Sequence, residues 1–224
     1  MTSLLIDTCT EHGVIVFFSG TTPRYEGTIP KGLHNSKYMI VEIDKGLKKL
    51  SLEVKDLDFI AVTIGPGSYT GIRVGVIAAK TLSYAADIPI ITLCSLDGYT
   101  PNQDGDFISI IDAKISGGYY RVGKKTEEKI EWKTEPAVCE LEKLPALQKI
   151  HHLVTPNKQL LEKKLAKIYP ETVFVWEEIP PGVNQFIRIA NEKFQAGKVE
   201  SSTEFELMYL RKTQAEIERD EKNE

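Results

Sequence analysis

Residues 63–80, TIGPGSYTGIRVGVIAAK, limit most strongly what this chain can fold into. Four glycines and one proline fall within positions 65–75, and an apolar pattern of helical period follows at once. Gly65 and Gly67 flank Pro66, which suits a sharp turn leaving a strand. Ser68 or Thr70 can cap the next helix by accepting from its free N–H groups. A helix start presented this way could hold an anion. A tight strand-to-helix turn without any ligand accounts for the same residues equally well.

Two phosphate-binding motifs fail on spacing. A P-loop places a lysine at the helix start to reach the phosphates, and the first lysine here is Lys80, deep in the helix. The dinucleotide fingerprint GxGxxG is missed by one residue, since Gly65, Gly67 and Gly71 are spaced GxGxxxG. Asp87 also precedes the next strand, where an acidic residue closing it is needed.

The periodicities around this motif give an α/β chain. SLLIDTC, GVIVFFSG and RYEGTI predict an antiparallel meander, followed by a helix from about Leu33 to Leu50 with Asn35 or Ser36 as cap. DFIAVTI and IPIITL predict buried strands on either side of a helix from about Gly71 to Ala86. The polar break TPNQDGD marks a lobe boundary, dividing the chain into 1–102 and 103–224. Beyond it, strands at FISIIDA, GYYRVG, KIEWKT, HHLVT and TVFVW, with two amphipathic helices, echo the first half loosely. The tail from 211 is of mixed charge, suiting either a solvated helix or disorder.

The helix after the glycine motif is apolar around most of its circumference, which predicts cover on nearly every side. Gly75, Ala78 and Ala79 are small enough for a neighbouring helix to approach closely. In the helix from Leu33, Ile40, Ile43, Leu47 and Leu50 form one stripe, with Met39 and Val41 off it. These faces suit a helix–helix subunit interface or burial within one chain. The interface candidates are Leu33, Met39, Ile40, Ile43, Leu47, Ile72, Arg73, Gly75, Val76 and Ala79, with Arg73 expected to make a polar contact across subunits or to lie solvated.

Acidic residues outnumber basic ones, 32 to 28, which argues against a broad grip on nucleic acid. No apolar run nears the ~20 residues that span a bilayer. The N-terminus lacks the basic region of a signal peptide, and Cys9, Cys94 and Cys139 read as reduced thiols. A cytoplasmic protein without membrane contact is expected.

GPGSYTGIRVG resembles the signature of the TsaB (YeaZ) subunits of the bacterial machinery that makes threonylcarbamoyladenosine in tRNA. LLIDTCT is similar to that family's opening strand and Asp-Thr turn, IDAKISGGYY to its first second-lobe strand pair, and YLRK to its C-terminal element. The resemblance implies the actin-like ATPase and sugar-kinase fold, with two mixed-sheet lobes of ribonuclease-H-like origin. It implies a non-catalytic subunit that pairs through first-lobe helices with the related transferase TsaD. The ATPase TsaE completes the assembly, and tRNA is reached only through the complex. No cofactor is expected on the chain alone; ATP or ADP would sit at the interface of the assembled complex. In the transferase, two metal-binding histidines sit one helical turn apart; Ser95 and Tyr99 stand at those positions here, with Asp97 between them. Serine and neutral tyrosine are poor ligands for a divalent metal. His12 and His34 stand apart, His151 and His152 are adjacent, and there is no HExxH.

Two other readings remain at this point. One is an actin-like-fold ATPase or kinase acting through Asp7, Thr8 and Thr10; Asp7 would otherwise be a turn residue left from an active ancestor. That reading is weakened because Asp112 lies five residues before Gly117 and Gly118, not in the usual Asp-Gly-Gly turn. The other is self-association through the same helices.

Overall fold

β1 (Thr2–Asp7) carries apolar side chains at both parities. Leu4 and Ile6 enter one core cluster, Leu5 enters another, and all three are fully buried. Successive strand residues point to opposite faces, so such a strand must be covered on both. The computed structural model describes residues 1–29, 35–114, 117–127, 129–202 and 205–210. Leu33, His34, the side chains of Asn35 and Ser36, and the tail from 211 lie outside what is described.

The first sheet has the order β3 (Thr22–Ile29), β2 (Gly13–Ser19), β1, β4 (Ile60–Thr63), β5 (Ile90–Leu93). The first three strands form the antiparallel meander, and β4 and β5 run parallel to β1. Helix α1 (Asn35–Leu50) leads into β4, and α2 (Tyr69–Ala86) joins β4 to β5. Both cover the face bearing Leu4, Ile6, Ile60 and Val62.

The second sheet follows the same plan more closely than the sequence suggests. β6 (Gly105–Asp112), β7 (Gly118–Lys125) and β8 (Ile130–Trp132) are antiparallel; β10 (His152–Thr155) and β11 (Val175–Glu178) are parallel to β6. Helix α3 (Lys158–Ile168) joins β10 to β11 as α2 joins β4 to β5. Where α1 stands in the first lobe, the second has β9 (Ala137–Cys139), paired with β7, and two short 3-10 helices. Their Leu141, Leu144 and Leu147 pack with Leu161 and Leu165 of α3. Neither β9 nor these turns shows a helical or strand period long enough to be read in advance.

The first sheet ends at Leu93 and the second begins at Gly105, but the cores do not divide there. Helix α4 (Val183–Gln195), from the far end of the chain, covers the second face of the first sheet: Phe186, Ile187 and Ala190 pack with Leu5, Val16, Phe18, Phe59 and Ala61. Asn191 Nδ2 donates to the Gly20 carbonyl at 2.8 Å. Farther on, Glu200 bridges Ile90, and Met208 N–H donates to Ile64 O at 2.9 Å. The lobes also meet at the 3-10 turn Ser95–Gly98, where Leu96 and Tyr99 pack with Phe107, Ile111 and Val154 of the second sheet. Asp97 there pairs with Arg121 Nη1 at 2.5 Å, and the guanidinium lies 4.6 Å over the Trp132 ring.

Truncating the fully buried Phe186 to alanine should therefore cost about 3–5 kcal/mol, the range for a buried phenylalanine. Trp132 and Trp176 both lie in the second sheet, so their fluorescence should move to lower urea together with far-UV circular dichroism. A tryptophan transition left at the parent midpoint would show that α4 does not couple the two cores.

Candidate functional site

The glycine motif is folded onto the turn that follows β1. Ser68 N–H donates to Cys9 O at 2.7 Å, and the Thr8 hydroxyl donates to Gly71 O at 2.7 Å. α2 thus starts in contact with that turn. A Cβ on Gly71 would run into the Thr8 carbonyl, and one on Gly75 into the Thr8 hydroxyl. Side-chain-free positions one turn apart are what allow the helix this approach. Ser68 Oγ caps the helix by accepting from Gly71 N at 3.3 Å, while Thr70 is exposed. The other side of the loop is held by Ser95, whose N–H donates to Gly65 O at 2.8 Å and whose hydroxyl donates to Pro66 O. The loop is thus held against its neighbours on both sides, with Ser68, Tyr69 and Thr70 exposed at the helix start.

Beneath it lies a buried polar cluster. Asp7, Thr8 and Thr10 are 0%, 1% and 6% exposed. Asp7 Oδ1 accepts from Cys9 N–H at 3.0 Å and from the Thr63 hydroxyl at 2.6 Å, while Oδ2 is buried without a protein partner. The Cys9 thiol in turn donates to Thr63 Oγ1 at 3.1 Å. Thr10 Oγ1 and Tyr99 OH are hydrogen-bonded at 3.2 Å, so the tyrosine seals the cluster from the inter-lobe side. Burial pushes the Asp7 carboxyl above the usual carboxylate range, against the opposing pull of its bonds from Thr63 and Cys9. Burial likewise pushes Cys9 well above the ordinary thiol range, with the nearby Asp7 charge adding to it.

The positions that resemble the transferase's histidine pair are occupied structurally. Ser95 is bonded to the glycine loop, Tyr99 to Thr10, and Asp97 to Arg121. In the second lobe, Asp112 is paired with Lys164, and its N–H donates to Asn157 Oδ1 at 3.2 Å. His152 Nε2 lies 2.7 Å from Glu177 Oε1; Oε2 of the same carboxylate accepts from Asn102 N–H at 2.9 Å. Among the described residues no group of three or more His, Cys, Asp or Glu side chains could hold a metal ion.

The helix faces require a correction. Met39, Ile43, Ile72, Gly75, Val76 and Ala79 are buried in the first-lobe core and form no outer surface, and Leu47 packs partly against the same core. What approaches Gly75 is the turn after β1, not another subunit's helix. Arg73 is exposed, but it is engaged within the chain, with its Nε donating to Tyr209 OH at 2.7 Å. Of the apolar candidates described, only Ile40 is open to solvent, at 53%. Four residues outside the candidate set are exposed as well: Val41 on α1, which the sequence placed off the stripe, and Tyr69, Ile77 and Tyr84 on α2. Ile77 is 63% exposed and Tyr84 81%. The signal was present, because Gly71, Gly75 and Ala79 recur every fourth residue and mark the inward ridge, leaving Arg73, Ile77 and Tyr84 outside.

A family model described as TsaD: tRNA N6-adenosine threonylcarbamoyltransferase matches residues 16–216. The tRNA threonylcarbamoyladenosine biosynthesis protein TsaB of Bacillus subtilis (strain 168) is 36% identical over 118 residues, 51% of this chain and 51% of that one. A tRNA N6-adenosine threonylcarbamoyltransferase of Persephonella marina (strain DSM 14350 / EX-H1) is 33% identical over 91 residues, 38% of this chain and 26% of that one. YeaZ from Pseudomonas aeruginosa superposes with a TM-score of 0.76 at 18% identity, covering 93% of this chain and 99% of that one. The sequence match thus spans about half the length of the curated TsaB relative, while the likeness in fold runs nearly end to end. With its paired 3-2-1-4-5 sheets, the chain has the two-lobed actin-like fold. It belongs to the family whose model is named for the threonylcarbamoyltransferase TsaD, and within it to the TsaB (YeaZ) group.

Proposed function

We propose that this chain serves tRNA threonylcarbamoyladenosine biosynthesis as a non-catalytic subunit that binds a TsaD-type transferase through the outer faces of α1 and α2. The observation that carries this reading is the sealed cluster around Asp7. A group that grips phosphate or magnesium must be reachable, and this carboxyl is fully buried, where desolvation also works against its charged form. On the other side of α2, Ile77 and Tyr84, with Ile40 and Val41 of α1, leave an apolar patch in water. A transferase from the same family is the occupant this reading takes, because the chain matches that family's model and would meet a relative as two copies of one fold meet in a dimer. In this reading TsaE, any ATP or ADP and the tRNA meet the chain only in the assembled complex. Self-pairing through the same patch is the competing use when the transferase is absent.

Ile77→Glu combined with Ile40→Glu should weaken binding to a purified TsaD-type transferase about 30-fold or more, as loss of an interface hot spot does. Melting temperature should barely change, since both side chains are exposed. Unchanged co-elution of the double variant with the transferase would overturn the docking reading.

Asp7→Asn tests the other half. Asparagine keeps an acceptor for Cys9 N–H and the Thr63 hydroxyl while removing the charge that burial opposes. The folded carboxyl holds its proton to higher pH than the unfolded one, so folding takes up a proton between those values and stability falls as pH rises through that window. The variant should unfold at higher urea than the parent at neutral pH, with the gap narrowing as pH drops toward the ordinary carboxylate range. Metal-dependent ATP hydrolysis by the parent chain, abolished in Asp7→Asn, would instead establish the ATPase alternative.

A further inference from the structure

The segment Phe205–Leu210 returns to the first lobe and runs along α2. Phe205 and Leu207 pack against the first-lobe core. Lys80 Nζ donates to Phe205 O at 3.4 Å and sits 4.3 Å over its ring. These contacts seal the core and need no further explanation. Tyr209 is different, because it is 40% exposed and adds little to that seal. It is nevertheless held from two sides: Arg73 Nε donates to its hydroxyl at 2.7 Å, and its ring lies 5.1 Å from that of Tyr69. The same guanidinium stacks 3.8 Å over the Tyr69 ring, which is itself 44% exposed. Two tyrosines and an arginine are thus ordered in solvent, on the helix line that continues through Ile77 to Tyr84.

We propose that this segment is the third element of the docking surface, with Tyr209 touching the TsaD-type partner and Arg73 acting as the positioning residue that holds it. The inference rests on the docking reading above and adds to it a contact from the far end of the chain. Tyrosine and arginine are enriched among the residues that dominate interface affinity. A ring already fixed by a stacked guanidinium loses little freedom on binding, so preorganisation favours the bound state. Arg73 and Tyr69 lie one and two helical turns before the exposed Ile77 on α2, so the cluster continues that outer stripe. The occupant is the transferase; a second copy of this chain is the rival.

Calorimetric titration of the full chain against purified transferase tests this, with the Ile77→Glu, Ile40→Glu double variant as control. Tyr209→Ala should weaken binding about 10-fold, with melting unchanged. Arg73→Ala should weaken it less, and Arg73→Ala with Tyr209→Ala no more than Tyr209→Ala alone, because the arginine acts through the tyrosine. Tyr209→Phe, which keeps the ring and loses the hydroxyl that accepts from Arg73, should fall between parent and Tyr209→Ala. Parent-like binding by Tyr209→Ala, with binding lost in the control, overturns this proposal and leaves the docking reading standing. Parent-like binding by the control as well overturns both. Loss of self-association alone, with transferase binding intact, also overturns the proposal. Should Tyr209→Ala melt early, Arg73→Lys decides in its place, since lysine keeps the charge but not the planar stacking group. Weaker binding at unchanged melting then supports the proposal, and parent-like binding overturns it.

Discussion

The contact between the start of α2 and the turn after β1 organises the first lobe. Gly71 and Gly75 let the helix backbone lie against Thr8, whose hydroxyl donates to Gly71 O at 2.7 Å. Two consequences follow from this one approach. The helix and the glycine loop lie against the Asp7 turn, which leaves Asp7 and Thr8 buried. The helix is also fixed in rotation, which aims Arg73, Ile77 and Tyr84 outward. Closing the inner site and presenting the outer stripe are therefore one geometric event.

A buried carboxyl with an unpartnered oxygen is costly, so its retention calls for a structural reason. The turn after β1 supplies one. The Cys9 N–H is buried and needs an acceptor, and Asp7 Oδ1 provides it while also taking the Thr63 hydroxyl from β4. The carboxyl thereby ties the turn to the neighbouring strand. Tyr99 and Ser95 extend the arrangement across to the lobe junction, each spending its polar atom on a first-lobe loop. Removal of either would loosen the turn on which α2 rests.

Much of this fold was legible because it is written in local period. The meander, the four helices and the buried parallel strands each show their spacing over a full element, and each forms near its expected place. β9 and the 3-10 turns at 141–148 were not legible, since three or four residues carry no period. The sequence left the helix faces open between interface and core for a different reason. Small residues at Gly75 and Ala79 do mark a close approach, but sequence spacing cannot say whether a foreign helix or the chain's own turn makes it. Apolar content around the helix likewise did not separate Val76, in the core, from Ile77, in solvent. The stacking of Tyr209 on Tyr69 spans 140 residues of chain and leaves no local trace.

The two sheets share one plan, so their differences carry the information about how the lobes were specialised. The second lobe replaces a crossover helix with β9 and two turns, while its terminal helix α4 is spent on the first sheet. Glu200 then bridges β5, and the segment 205–210 lies beside α2. The described segments from α4 onward thus reinforce the first lobe. α4 backs the sheet on one side, and the segment 205–210 braces α2 on the other, beside the stripe of Ile77 and Tyr84. A helix face that must meet a partner as a rigid body gains from support on flanks the partner does not cover. In the docking reading proposed above, this support would hold the presented face in place.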